Sequence, residues 1–320
     1  MRRPHNKWFA PMTVTSFTKR FSVCTALLAT ALLAAPALAG GLGGEAARFQ
    51  LFSVGDMSIT NSNPDGGVAT GGDFTASGVS MGSGLRPGVD EMIVAAGDVT
   101  LRNGTYHNGY VLVGGTPSIS SSAHLPQAEV RQLMTSIDFA DAQQEYVHLS
   151  DTLKATSATG ETYVYPWRAI ELRGLKDGLN VFHLTEQQYE RSNGIAVPDF
   201  DPDLHTVVIN VGGSDVVRGS NGSLFVGKIN GNPTYEQLSS SGDYRRHRRL
   251  LWNFYEATRL TSNGSIHGAV LAPRAALTHQ NGRLVGQVIA GGIDLRNAAR
   301  IADAQFTGEL VAGPTLLGFD

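Results

Sequence analysis

The chain has 320 residues, a formal net charge of −3, 38 glycines and a charged fraction of 17%. Low charge with abundant glycine excludes a helical bundle and points to strands joined by tight turns. Acid in excess of base excludes nucleic acid, and an anionic membrane, as the main partner.

The first 20 residues hold Arg2, Arg3, Lys7, Lys19 and Arg20 and no acid, and Phe21 to Ala35 is mostly apolar. Ala37-Leu38-Ala39 then offers small residues at the two positions a signal peptidase reads, which predicts a signal peptide over 1–39 and a mature start at Gly40. An uncleaved anchor is the alternative, but the apolar run is shorter than the roughly 20 residues of a membrane span. Removal of the leader takes five of 25 basic residues and none of 28 acids, so the mature charge is 20 minus 28, or −8. The single cysteine, Cys24, lies in the leader. The mature chain then has no disulfide, thiolate zinc site or catalytic cysteine, which fits a bacterial product at or beyond the cell surface. No later apolar segment is long enough to span a bilayer.

From Phe49 to Gly115 short β-runs alternate with Gly and Asn. Phe49–Val54, Met92–Leu101 and Tyr110–Gly115 read as strands, and Asn103-Gly104 and Asn108-Gly109 as coil corners or hairpin turns. Leu125 to Thr156 breaks the pattern. Phe139, Ala142, Tyr146, Leu149 and Leu153 share one helical face, with Asp138 as cap and Asp141 in the first turn. Pro126 is expected to open a shorter helix through Met134. The long helix should lie along the flank of a β-body and bury its stripe. Thr162–Tyr165, Ala169–Leu172, Asn180–Leu184 and Thr206–Val211 resume the strands, the last apolar enough to be buried on both faces.

Gly268-Ala-Val-Leu-Ala-Pro273 and Gly286-Gln-Val-Ile-Ala290 are versions of one unit, eighteen residues apart. Ile266 and Leu284 precede the two glycines, and Asn263-Gly264 and Asn281-Gly282 stand at the same offset. A strand pattern returning at fixed interval reads as successive coils of a β-solenoid, although two similar hairpins share the pattern. No linker divides the chain. The expectation is a mainly β, single-domain solenoid over 45–310, one helix on its flank, and a short tail over 311–320.

Val68–Asp73, Ile137–Ala140, Val207–Asn210, Leu250-Leu-Trp-Asn-Phe254 with Ala257-Thr258, and the Gly268–Pro273 and Gly286–Ala290 blocks occur in this order. Together they resemble the choice-of-anchor A family of exported bacterial adhesive domains. The resemblance implies a non-enzymatic, adhesin-like protein that binds an extracellular glycan, matrix or protein partner. Members differ in the C-terminal device that holds them to the cell. Here the chain ends Val-Ala-Gly-Pro-Thr-Leu-Leu-Gly-Phe-Asp320, without a recognisable anchor. The resemblance supplies no catalytic residues.

Asp199, Asp201 and Asp203 alternate as calcium ligands do, but lack the Gly and Glu that complete an EF-hand loop. Asn61-Ser-Asn63-Pro-Asp65-Gly66 has the Gly and no Glu, and solvated Asx turns are the alternative for both segments. Calcium is thus the one cofactor with a candidate site. The eight histidines after residue 39 show no zinc-site spacing. Arg245-Arg-His-Arg-Arg249 is the single basic run, a polyanion site or a solvated loop. No G-x-S-x-G elbow occurs. A carbohydrate-active enzyme would have to draw on Arg274, His279, Arg283, Asp294 and Arg296 from adjacent coils. An ice-binding solenoid is the other alternative, and no Thr-x-Thr follows residue 39. Trp252, in an apolar run, is expected in the core with its N–H bonded, rather than exposed to a sugar.

Overall fold

The computed structural model describes residues 41–132, 137–219, 223–226, 236–237, 244–298 and 300–310. The leader and the 311–320 tail lie outside the described residues. Among those described, no helix is long and apolar enough to cross a membrane.

The chain winds as a succession of short, mostly parallel strands into a three-faced solenoid. One face is a continuous parallel ladder of ten strands. In spatial order these are Gly178–Leu184, His205–Val211, Leu250–Asn253, the starts of Ala269–Gln280 and Val288–Arg296, then Leu51–Ser53, Val68–Thr70, Glu91–Ala95, Asn108–Val113 and Gln127–Gln132. The order in space is not the order in sequence. The chain enters at the middle of the stack with Leu51, winds out to Gln132, and resumes at the far end. It then winds back until Val288 pairs with Leu51.

The return is made by α1 (Phe139–Ala155), whose Asp138 cap accepts from the amides of Ala140 at 3.1 Å and Asp141 at 2.9 Å. Its 17 residues extend about 25 Å, the width of about five strands at the usual ~4.8 Å spacing. Phe139 stacks on Phe52 at 5.2 Å, and the Tyr146 hydroxyl accepts from Ala46 N and donates to Gly43 O, both at 2.9 Å. The buried stripe is Phe139, Ala142, Tyr146, Ser150 and Leu153. Ser150 takes the position expected for Leu149, which is half-buried at the margin. Gln143, off this stripe, donates to Pro273 O at 3.3 Å.

The helix expected to open at Pro126 is instead the strand Gln127–Gln132, paired in parallel with Asn108–Val113. The unpaired edge of the last coil satisfies six residues of backbone at once, which outweighs a modest helix preference. Asn108-Gly109 likewise lies inside a strand, with Gly109 at φ +96°, and turns no hairpin.

The eighteen-residue repeat is a coil repeat. Val270 pairs with Val288 and Ile266 with Leu284. A Cβ on Gly286 would meet Gly268 O at 2.2 Å, and one on Gly282 would meet the Gly264 carbonyl carbon at 2.4 Å. Glycine is required there because successive corners stack backbone on backbone.

The interior is filled by the inward residues of every coil, Trp252 among them. Its ring is 5% exposed, its Nε1 donates to His267 O at 2.8 Å, and Tyr189 meets it edge-on at 5.5 Å. A second apolar layer lies between the ladder and α1 and includes Phe52, Val208, Leu251, Leu271 and Ile289. His205–Val211 is buried on both faces, as its composition requires.

Candidate binding face

The second face of the solenoid carries the strands Asp215–Arg218, Arg259–Asn263, the ends of Ala269–Gln280 and Val288–Arg296, Met57–Thr60, Phe74–Ser77, Val99–Arg102 and Pro117–Ile119. Alternation sends Ile59, Phe74, Ala76, Val99 and Leu101 inward. The residues between them point to solvent.

Register aligns those outward residues across coils. One row reads Val217, Thr261, Thr278, Asp294, Ser58, Thr75, Thr100, Ser118, each paired with the next. Eight positions at strand spacing make a straight row of roughly 34 Å. Six of the eight carry a hydroxyl. The next row outward holds Asn263, Gln280, Arg296, Thr60, Ser77 and Arg102. From Ser58 to Ser118 the central row carries no charge. In the other coils Arg296 pairs with Asp294, and Arg259 with Asp215, whose carboxyl this hydrogen bond holds below its ordinary range.

Two polar ladders border this hydroxyl face. On one side Asp56 Oδ1 accepts from Asp73 N at 2.9 Å, Asp73 Oδ1 from Asp98 N at 2.8 Å, and Asp98 Oδ1 from Thr116 N at 2.7 Å. A Cβ on Gly72, Gly97 or Gly115 would fall within 2.1–2.2 Å of those carboxylate oxygens. The local unit is therefore Gly-Asp, then apolar, Ser or Thr, apolar: Gly55–Ile59, Gly72–Ala76 and Gly97–Leu101. On the other side Asn281 donates to Asn263 at 3.0 Å and Asn61 to Asn297 at 3.1 Å. Asn61, Asn281 and Asn297 all take positive φ, which Asn tolerates at a corner. One end of the face is closed by α2 (Glu186–Arg191), where Glu190 accepts from Val217 N at 2.6 Å.

A Thr-x-Thr motif does not mark this row, because the row crosses strands and takes one hydroxyl per coil. The Gly-Asp unit does mark it in the sequence, but its spacing varies, with Asp at 56, 73 and 98.

The other candidates fall elsewhere. Asp201 Oδ1 accepts from Asp203 N at 2.9 Å, Asp203 meets Arg245 at 3.3 Å, and Asp199 is exposed at φ +59°. Among the described residues no three His, Cys, Asp or Glu side chains gather as a metal site. Asn63 accepts from Ser80 N at 2.8 Å, and Asp65 pairs with Arg300 at 2.8 Å, so Asn61–Gly66 is a coil corner. The basic run ends in the 3-10 turn His247–Arg249, with His247 fully buried against His267 at 3.0 Å. His279 points into the core, while Asp294 and Arg296 lie on the outer side of the same sheet, so these groups do not converge. Arg274 braces α1, bonding Asp151 at 2.8 Å and Tyr255 O at 2.7 Å. Burial lowers the His267 and His279 imidazoles to about 4. A cavity of about 20 Å³ beside Trp252, His267 and Arg218 has room for one water.

Among curated proteins, none matches this chain. Among solved structures it is similar to an ice-binding protein from the Antarctic ascomycete Antarctomyces psychrotrophicus, with 12% identity, 83% of this chain and 98% of that one covered, and a TM-score of 0.41. It is similar also to a glycosylated ice-binding protein from an Arctic yeast (12% identity, 88% and 99% covered, TM-score 0.36). An ice-binding protein from an Antarctic bacterium, Flavobacteriaceae, matches at 10% identity over 82% and 97%, with a TM-score of 0.24. A family model described as "Putative Ice-binding-like adhesive domain" matches residues 42–301, and the chain belongs to that family.

Proposed function

We propose that this protein is an exported, non-enzymatic adhesive module of the choice-of-anchor A type, and that the hydroxyl face is what it presents to its target. One observation carries the reading: hydroxyls line an open row from Thr261 to Ser118, broken only at Asp294, on a backbone that cannot flex independently at each coil. A rigid periodic array of this kind suits a partner that is itself extended and repetitive, such as a surface glycan or matrix polymer. Its hydroxyls exchange water for ligand at little conformational cost, because the side chains are short and the sheet is preformed. The leader and the family membership support export.

The test is attachment of the secreted protein to polysaccharide-coated surfaces, with Thr75→Lys/Thr100→Lys beside the native chain. Weakened attachment with unchanged melting supports the reading. Undiminished attachment refutes it.

Ice is the second reading, favoured by the uncharged run Ser58, Thr75, Thr100 and Ser118 and by the family description. Asp294 and Arg296 interrupt the face in the neighbouring coil and hold their own water. Thermal hysteresis that the same double variant abolishes would select this reading over the first.

A further inference from the structure

At the far end of the solenoid, where Gly178–Leu184 closes the stack, the strand Glu161–Val164 pairs antiparallel with Ala169–Arg173. The connecting turn is tight. Arg168 N donates to Tyr165 O at 2.8 Å, Tyr165 N to Ala169 O at 2.9 Å, and Arg168 takes the left-handed position at φ +67°. Pro166 and Trp167 thus sit at the tip, and Asn193 Nδ2 anchors Trp167 O at 2.5 Å.

Tyr163, Tyr165 and Trp167 form one assembly on this hairpin. The Tyr165 ring lies nearly parallel to Trp167, with centroids 4.6 Å apart and planes 21° apart. Tyr163 meets Tyr165 edge-on at 4.7 Å, and the Arg173 guanidinium lies 4.0 Å from the Tyr163 centroid. The assembly is locked from below. The Tyr165 hydroxyl donates to Glu171 at 2.9 Å and accepts from Arg173 at 2.9 Å, and Arg173 Nε bonds Glu171 at 2.7 Å.

Among the described residues, Phe49, Phe52, Phe74, Phe139, Phe182, Phe200, Phe254, Phe306 and Trp252 are all 8% exposed or less, and Tyr110, Tyr244 and Tyr255 are half-buried. Trp167 is 51% exposed and Tyr163 37%. With Tyr165 against one side of the indole, that exposure leaves the other side open to solvent. A hairpin held together only by its own stacking would gain from folding the indole inward, because that removes apolar surface from water.

We infer that this aromatic shelf is a sugar-binding site, taking the flat face of a neutral, β-linked pyranose chain on Trp167, with Tyr163, its ring steeply inclined to the Tyr165 and Trp167 stack, as a side wall. A pyranose with equatorial substituents presents a plane of C–H bonds to a ring and directs its hydroxyls to the rim. Arg168, exposed and next in sequence to Trp167, would supply donors to them. The rings are fixed before binding, so little side-chain entropy is lost. A protein partner is disfavoured because the shelf is far smaller than the roughly 800 Å² per side of a stable interface. A lipid surface is disfavoured because Glu161, Arg168, Glu171 and Arg173 balance one another rather than forming a basic cluster. The site is independent of the hydroxyl face.

The full secreted chain is titrated with cellohexaose, xylohexaose and chitohexaose while tryptophan emission is followed. Trp252 is sealed in the core, so a ligand-dependent change reports Trp167. Saturable binding of at least one hexasaccharide is expected. Trp167→Ala should abolish it, Trp167→Phe retain part of it, and Tyr163→Ala weaken it tenfold, about 1.4 kcal/mol, all with unchanged melting. Thr75→Lys/Thr100→Lys should bind the hexasaccharide as the native chain does, which separates this site from the attachment face. The proposal is overturned if none of the three sugars binds, if Trp167→Ala binds undiminished, or if Trp167 proves necessary only for binding phosphatidylcholine vesicles.

Discussion

The helix-side ladder and the hydroxyl face are built by the same coils, and in Ala269–Gln280 and Val288–Arg296 by the same unbroken strands, yet one is covered and the other open. Their outward rows show why. Under α1 the row reads His183, Asn210, Asn253, Leu271, Ile289, Phe52, Ala69, each paired with the next. On the hydroxyl face the corresponding central row is Val217, Thr261, Thr278, Asp294, Ser58, Thr75. Backbone geometry is common to both. The side chains alone decide which face must be hidden from water.

The helix-side row also changes character along its length, and α1 follows it. Leu271, Ile289 and Phe52 meet the apolar body of the helix. Under its final turns, His183 Nε2 meets Thr156 O at 2.9 Å, Asn210 donates to Leu153 O at 2.8 Å, and Asn253 donates to Ser150 O at 2.9 Å and to Asn210 Oδ1 at 2.7 Å. Ser150 Oγ in turn donates to Asn253 at 2.6 Å. These polar rungs supply donors where the end of a helix leaves carbonyls unpaired. They also fix the rotation of α1 on the sheet, which greasy contacts alone would leave loose.

The sharpest way to break the comparison uses one strand. Leu271→Asp places an unpaired charge beneath α1 and should cost about 4 kcal/mol or more, enough to unfold a marginal protein. Thr278→Lys, seven residues along the same strand but on the open face and opposite Asp294, should move stability by less than about 0.5 kcal/mol. Urea denaturation of the two variants measures both, and similar losses would mean that the hydroxyl face is covered too.

Acid should act from inside, on neither face. His279 is fully buried, its two ring nitrogens have no hydrogen-bond partner, and its pKa falls from 6.5 to about 4. The unfolded chain therefore binds a proton more readily than the folded one between these values. Stability is fully present above pH 6.5 and declines as pH falls towards 4, by about 3 kcal/mol for this group. His267 shifts in the same direction, and its contact with His247 requires one ring nitrogen to accept. Thermal melts from pH 7.5 to 4 on native protein and His279→Leu check this, the variant losing less on acidification.

Asn253→Ala removes the centre of the polar rungs and should cost about 2 kcal/mol, leaving Asn210 and Ser150 short of partners. A double-mutant cycle with Ser150→Ala should show coupling above about 0.5 kcal/mol. The smallest structural effect is expected on the open face. Thr75→Lys/Thr100→Lys should shift stability by less than about 0.5 kcal/mol while weakening attachment.

Much of this was legible in the sequence because it depends on neighbours along the chain. Alternation marks strands, Asp138 marks the helix start, the apolar surroundings of Trp252 place it inside, and the Gly268 and Gly286 blocks reveal coils whose corners touch. The interval of eighteen survives because those two coils have equal loops between them. Tertiary structure decided the rest. Pairing Leu51 with Val288 joins residues 237 positions apart, and no local period records it. Gln127–Gln132 became a strand because an edge stood open beside it. Leu149 yielded the centre of the helix stripe to Ser150 because Asn253 lay opposite. The hydroxyl row exists only once unequal loops have been wound into register, since its members are local to separate coils and become neighbours through backbone hydrogen bonds between strands.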